Sequence, residues 1–206
     1  MRIETLEIAG FRAAMLALRL PYNKEPRSET GYADCQVRKS LDDVGADPAI
    51  VNVHEIWDFG THVEFNRDDI ELLSRLVRTG DEHAKVCRGI VVWTRITAPL
   101  YWWIDLETYR AGHERLMSQS TMNTECKGLH GEELQRVKGE IPLSREITKI
   151  DYFSYQTLRR ICLQRHNHRL PEFHQFIDWV KGLPLADKLI LPDKILPDGS
   201  PSVEES

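Results

Sequence analysis

The chain has 206 residues, 41% of them apolar, with five tryptophans and a formal net charge of −5. That suffices for one domain with a real core, or one domain plus a small appendage. The acidic balance argues against a broad polyanion-binding surface, so neither DNA nor RNA polymer is an expected partner, and only a local basic pocket stays open.

In chain order, residues 1–8 alternate weakly and predict a strand, and Gly10 to Leu20 predict a helix. Residues 21–50 are polar and turn-rich and predict a long loop of the kind that serves as a lid. Val51 to Phe65 reads as one or two strands. Asn66 is a good N-cap for a helix through Thr79, with Ile70, Leu73, Leu76 and Val77 on one face and Gly80 as its stop. The β-branched run at 89–97 predicts a central strand, and Pro99 a helix at its favoured first position, running to Arg110.

Residues 108–120, TYRAGHERLMSQS, show no apolar rhythm and predict a turn-rich loop with Gly112 at a helix C′ position. Glu133 to Lys138 fits a polar helix. Ser154 caps a helix carrying Tyr155, Leu158, Ile161 and Cys162. Pro171 opens another, with Phe173, Phe176, Ile177 and Val180 as its buried stripe and Gly182 as its end. The repeated ILPD at 190–193 and 195–198 predicts an extended arm over 186–206 that packs on a neighbouring subunit or stays loose, with a disordered end. Mixed strands and helices predict a single α+β domain over residues 1–185.

The longest apolar runs, such as Gly89 to Trp93, are too short to span a bilayer. MRIETLEIAG carries acidic residues where a signal peptide has an apolar stretch, so a cytoplasmic protein is expected. Cys35, Cys87, Cys126 and Cys162 form no CxxC pair and read as free thiols, Cys87 and Cys162 as small core residues. His166-Asn167-His168 lacks the partners of a zinc signature, and no metal is expected.

Two arginines end apolar stripes. Trp103, Leu106 and Arg110 recur at helical spacing, as do Leu158, Cys162 and Arg165. A guanidinium there either reaches water or meets an anion, because burial without a partner costs several kcal/mol. Packing the two helices face to face predicts that Arg110 and Arg165 converge on one pocket. Asp105 and Glu107 are the nearest carboxylates for neutralising them without a ligand. The hydroxyls and amides of Ser118, Ser120 and Thr121 are suited to a phosphate.

These residues resemble the flavin-dependent thymidylate synthase (ThyX) family. That family has a histidine in a turn after a helix, then a strand, then a proline-initiated helix ending in RHRxxSxNxxSxR. Here the order is TGDEHAKVCRGIVVWTRITAP, LYWWIDLE and TYRAGHERLMSQS. YQTLRRICLQRHNHR leading into LPEFHQFIDWV is similar to the family's RSLxNFLxLR helix and the helix after it, and GFRAAMLALRLPY to its first helix. The resemblance spans most of residues 1–182 and is to divergent, phage-type members with YWW and TYR at these positions.

The resemblance implies a ThyX-like fold with a small, mainly antiparallel sheet flanked by helices, and FAD as cofactor. It implies His83, Tyr109, Arg110 and His113 along the flavin, and Arg115, Ser118, Ser120, Lys149 and Arg165 at the nucleotide. Arg165 would stabilise charge on the pyrimidine ring as the residue closest to catalysis, because an arginine stays charged and offers a planar fork. The implied reaction moves a methylene group from methylenetetrahydrofolate to dUMP, with NADPH reducing the flavin. The implied assembly is a homotetramer, and the setting a phage-infected or lysogenic bacterial cell.

The chain also departs from the family. Thr108 and Tyr109 replace the first two residues of the RHR triplet, and His113, Arg115 and Ser120 replace its first serine, asparagine and last arginine. Three readings therefore stand: a thymidylate synthase-like or related pyrimidine-modifying transferase, a nucleotide- or flavin-binding protein of that fold without methyl transfer, or a protein-interaction module keeping only the scaffold.

Overall fold

The computed structural model describes residues 1–22, 24, 31–33, 50–52 and 62–191. β1 (Arg2–Ala9) turns at Gly10 into α1 (Phe11–Arg19). Gly10 has φ 97°, and a Cβ there would lie 1.8 Å from the Gly89 carbonyl oxygen, so only glycine lets this turn close against the start of the next long strand. α1 buries Phe11, Ala14, Met15 and Leu18, the i, i+3, i+4, i+7 stripe of an amphipathic helix.

β2 (Gly31–Ala33), β3 (Ile50–Asn52) and β4 (His62–Asn66) form a small antiparallel sheet in the order β2-β4-β3. Most of the segment expected as a lid, and most of the arm, lie outside the described residues. Asn66 caps α2 (Arg67–Thr79) as predicted, its side chain accepting from the amides of Asp68 at 2.9 Å and Asp69 at 3.3 Å. Asp69 is buried and bonded by Arg19 Nε at 2.8 Å, which ties α1 to α2.

The larger sheet is antiparallel, in the order β1-β5-β7-β6, with β5 (Val91–Pro99), β6 (His113–Ser118) and β7 (Glu146–Ser154). The 89–97 run is an interior strand, between β1 and β7. Register pairs Val92 with Phe153, Thr94 with Asp151, Ile96 with Lys149 and Ala98 with Ile147. All eight are buried, so one sheet face is covered, while Trp93, Arg95, Ile150 and Tyr152 on the other face are half-buried or exposed.

Helices α3 (Leu100–Leu106), α4 (Gly131–Glu140), α5 (Tyr155–Arg165), α6 (Pro171–Lys181) and the short α7 (Ala186–Leu189) complete the described chain. Trp102 of α3 packs 5.7 Å from both Phe173 and Phe176 of α6 in the shared hydrophobic core. The architecture is α+β, a small antiparallel four-stranded sheet flanked by helices. No described helix is long and apolar enough to cross a membrane.

Several boundaries differ from the sequence reading. α3 ends at Leu106 and does not reach Arg110. Thr108 bonds back to the Asp105 carbonyl at 3.0 Å and the Tyr109 amide to Leu106 at 3.0 Å, closing the turn that sends Tyr109 inward. Pro99 is the last residue of β5 and the extended cap of α3, one step before the first helical position. Within the expected 108–120 loop, residues 113–118 form β6. It is an edge strand whose middle residues are exposed, which hides the alternation that marks a half-buried strand. Residues 186–191, expected to open the arm, comprise α7 and the two residues after it, and bury Ala186, Leu189, Ile190 and Leu191. The first apolar ILP segment thus starts inside the core.

Candidate functional site

The site is built where β7 brings charged side chains onto the covered sheet face. In EITKIDYFS, alternation places Ile147, Lys149, Asp151 and Phe153 inward, so two of four inward positions carry charge. Cross-strand pairing with β6 then sets Arg115 beside Asp151 and His113 beside Phe153.

Asp151 is fully buried, and its Oδ2 lies 2.7 Å from His113 Nε2. His113 stacks on Phe153 at 4.4 Å with an interplanar angle of 8°. Arg115 Nε stands 3.6 Å from Asp151 Oδ1, an ion pair without a hydrogen bond, and that oxygen has no hydrogen-bond partner. Lys149 Nζ sits 4.2 Å from the centroid of the Trp103 ring, and the Arg115 guanidinium 5.7 Å from the same ring. Burial, reinforced by the charge of Arg115, pushes the Lys149 amine down to about 8, against the pull of Asp151 and Glu107.

Glu107 closes this cluster from the end of α3. Its Oε2 accepts from Arg110 Nη2 at 3.1 Å, and its Oε1 accepts from Arg115 Nη2. Glu107, Arg110, His113, Glu114 and Arg115 line one depression of about 260 Å³.

The other candidates fall elsewhere. Ser118 and Ser120 line a larger cavity of about 540 Å³ with Thr121, Lys138 and the apolar Leu100, Ile141 and Ile147. Lys138 Nζ donates to Thr121 Oγ1, while Ser118 Oγ donates to the Gln119 carbonyl at 3.0 Å. His83 is exposed on the turn 81–83 after α2, and Asp81 fastens that turn to α5 through Arg159 at 2.7 Å and Arg160 at 3.1 Å.

Arg165 and Arg110 have different partners among the described residues. Arg165 Nε donates to the Tyr109 hydroxyl at 2.9 Å, and its guanidinium stands 5.1 Å from the Phe173 ring. Arg110 lies beyond the end of α3, with a side chain 80% exposed, and pairs with Glu107. The expected convergence assumed a helix long enough to align both. With α3 ending at Leu106, Tyr109 reaches Arg165 instead, and Glu107 neutralises Arg110. Asp151 and Trp103 are the principal residues not foreseen as site residues, and Glu107 was expected only as a carboxylate that neutralises Arg110, which it does. For Asp151 the period-two position beside Lys149 was the available signal.

Gly112 fixes the turn into β6. It has φ 78°, its carbonyl accepts from the Ser154 amide at 2.7 Å, and a Cβ would lie 2.5 Å from both Ser154 Oγ and Thr157 Oγ1. The Ser154 hydroxyl caps α5, accepting from the Thr157 amide at 3.2 Å, and the Thr157 hydroxyl donates to the Ala111 carbonyl at 2.5 Å. Gly112→Ala is expected to cost about 2 kcal/mol in urea unfolding, from the strained φ and the disturbed cap. A loss within about 0.5 kcal/mol would show that the turn gives way freely.

No family model matches the sequence, and no curated protein matches it. The structure matches solved ones. A crystal structure of the flavin-dependent thymidylate synthase ThyX from Helicobacter pylori, complexed with FAD and dUMP, superposes with a TM-score of 0.61 at 13% identity, covering 94% of this chain and 99% of that one. A second ThyX structure from the same organism, also with FAD and dUMP, gives 0.62 at 12% identity, covering 94% and 98%. The chain therefore has the fold of the flavin-dependent thymidylate synthases.

Proposed function

We propose that the chain binds a pyrimidine deoxynucleotide such as dUMP, with FAD, and acts as a thymidylate synthase-like enzyme. The carrying observation is that three cations, Arg110, Arg115 and Lys149, act on the partly exposed carboxylate of Glu107. Fixed positive charge is what the negative charge developing on a uracil ring and its phosphate requires. The likeness to ThyX structures holding FAD and dUMP supports the ligand classes.

Of the four residues expected along the flavin, His83 and Arg110 are exposed and available to it. Tyr109 and His113 are buried, with their polar atoms engaged by Arg165 and Asp151, and support the site from inside. The flavin, when bound, supplies the hydride chemistry. Arg110 would lie along it as a planar donor fork, and Arg165, bonded to Tyr109, would face the nucleotide. Lys149 and Ser118 are cross-strand partners on β7 and β6, so the nucleotide is expected to lie along β6. Methylenetetrahydrofolate as methylene donor, NADPH as reductant and a homotetramer complete this reading.

A second reading, ligand binding without methyl transfer, draws on one observation. Glu107 and Asp151 already occupy the donors of Arg115 and the polar edge of His113.

Absorbance of the purified protein for bound flavin, with thermal shifts in dUMP, dTMP, FAD and phosphate, tests both readings. A ligand at a hundredfold excess over its Kd stabilises by about 2.7 kcal/mol. We expect that shift with dUMP in the wild type and its loss in Arg165→Ala. An equal shift in the variant would leave Arg165 only as the clamp of Tyr109. A colourless protein that answers to none of the four ligands would leave a scaffold for protein interaction. Bound dUMP without turnover in the presence of folate donor and reductant would select the second reading.

A further inference from the structure

Glu107 is the first residue beyond α3, and its carboxylate lies between two guanidiniums, one oxygen toward each. Two arginines flanking one oxyanion is the arrangement in which such pairs hold phosphate or carboxylate ligands. Here the anion belongs to the chain itself. It is about one-third exposed, and among the described residues its carboxylate bonds only to Arg110 and Arg115. The side chain can therefore turn to water without leaving a buried carboxylate behind. Burial raises its pKa, but the hydrogen bond and charge of Arg115, then Lys149 and Arg110, bring it below the ordinary carboxylate value overall, so it is anionic at neutral pH.

We propose that the Glu107 carboxylate is a displaceable internal occupant of an oxyanion site formed by Arg110 and Arg115 with Lys149 behind them, and that a phosphate monoester dianion takes its place. This inference rests on the reading that the site takes an anionic ligand, and it adds what guards the site. The charged groups in reach are Arg110, Arg115 and Lys149 against Glu107, Glu114 and Asp151. Asp151 is already bonded to His113, and Glu114 is exposed on the wall of the depression. With Glu107 in place the three charges of each sign balance, and a singly charged ligand gains little. A dianion gains more from the same cations than the monoanion that it expels. The guard thus discriminates by ligand charge.

The test is phosphate titration followed by thermal shift and calorimetry, with sodium chloride at equal ionic strength as reference. The proteins are the wild type, Glu107→Gln and the double variant Glu107→Gln/Arg115→Gln. Removing the internal competitor should tighten half-saturation by phosphate about tenfold or more, and the double variant should lose the gain. Glu107→Ala serves if the glutamine variant does not fold. Phosphate binding equally to wild type and Glu107→Gln, or to neither, overturns the proposal. A dUMP titration separates the two inferences. Tight phosphate binding by Glu107→Gln with no dUMP binding by any variant would leave the displaceable site standing and remove the nucleotide reading. Equal dUMP binding by wild type and Glu107→Gln, without a phosphate response, would do the reverse.

Discussion

Asp151→Ala is expected to destabilise the protein by about 3–5 kcal/mol, because it removes the carboxylate from a buried cluster and leaves its cations behind. Asp151 has no exposed surface, accepts from His113 at 2.7 Å and pairs with Arg115 at 3.6 Å. Lys149 feels its charge from two residues away on the same strand face. Without it, His113 is left 6% exposed with no acceptor for its Nε2, and Lys149 stays 8% exposed beside Arg115. For a chain of this length the loss corresponds to a Tm lower by roughly 6–20 °C. Asp151→Asn should recover part of it, since an amide oxygen still accepts from His113. Lys149→Met in the Asp151→Ala background should also recover part, because the uncompensated charge is then gone. The double-mutant cycle would show coupling of about 1 kcal/mol or more. Additive effects, or a single loss under about 1 kcal/mol, would mean that water reaches the cluster and that its charges are not held against one another.

The large elements were legible because local rules and packing agree there. Asn66 with Gly80 bounds α2, Ser154 caps α5, Pro171 opens α6, and the β-branched run at 89–97 lies between two partners. The misreadings cluster at 107–120. Helical spacing from Trp103 to Arg110 continues past the point where the backbone stops being helical. Only the bonds of Thr108 and Tyr109 to Asp105 and Leu106 decide that stop. β6 was hidden for a related reason. With Leu116 at the register shift and Met117 71% exposed, the strand is defined by β7 and not by its own pattern. The site suffered most, since Arg115, Lys149 and Asp151 meet only through the pairing of those two strands. Sequence proximity offered Asp105 and Glu107 as partners for Arg110, and Glu107 is the one, but spacing could not give Tyr109 as the partner of Arg165, which the tight turn after α3 selects.

That cluster carries its own pH signature. Lys149 titrates at about 8, below the 10.5 of a free lysine, chiefly because it is buried and next because of Arg115. Below pH 8 the folded and unfolded chains both hold the proton, so folding carries the full cost of burying the charge. Between 8 and 10.5 the folded chain releases the proton while the unfolded chain keeps it. Stability therefore rises with pH across that window relative to a variant without the amine. The difference between 10.5 and about 8 corresponds to roughly 3 kcal/mol at about 1.36 kcal/mol per pH unit. Lys149→Met keeps an unbranched side chain against Trp103 and removes the titration. It should be more stable than the wild type by about 2–3 kcal/mol at pH 7 and lose most of that advantage by pH 10.5. Urea unfolding of both proteins at the two pH values reads the difference directly. Parallel behaviour would mean that the amine is solvated and titrates as an ordinary lysine. A residue that destabilises its own fold at neutral pH is retained where it serves a ligand. The same variant should therefore lose its stabilisation by dUMP while gaining stability in the absence of ligand. A variant that is stabilised and still shifts fully with dUMP would detach Lys149 from the nucleotide.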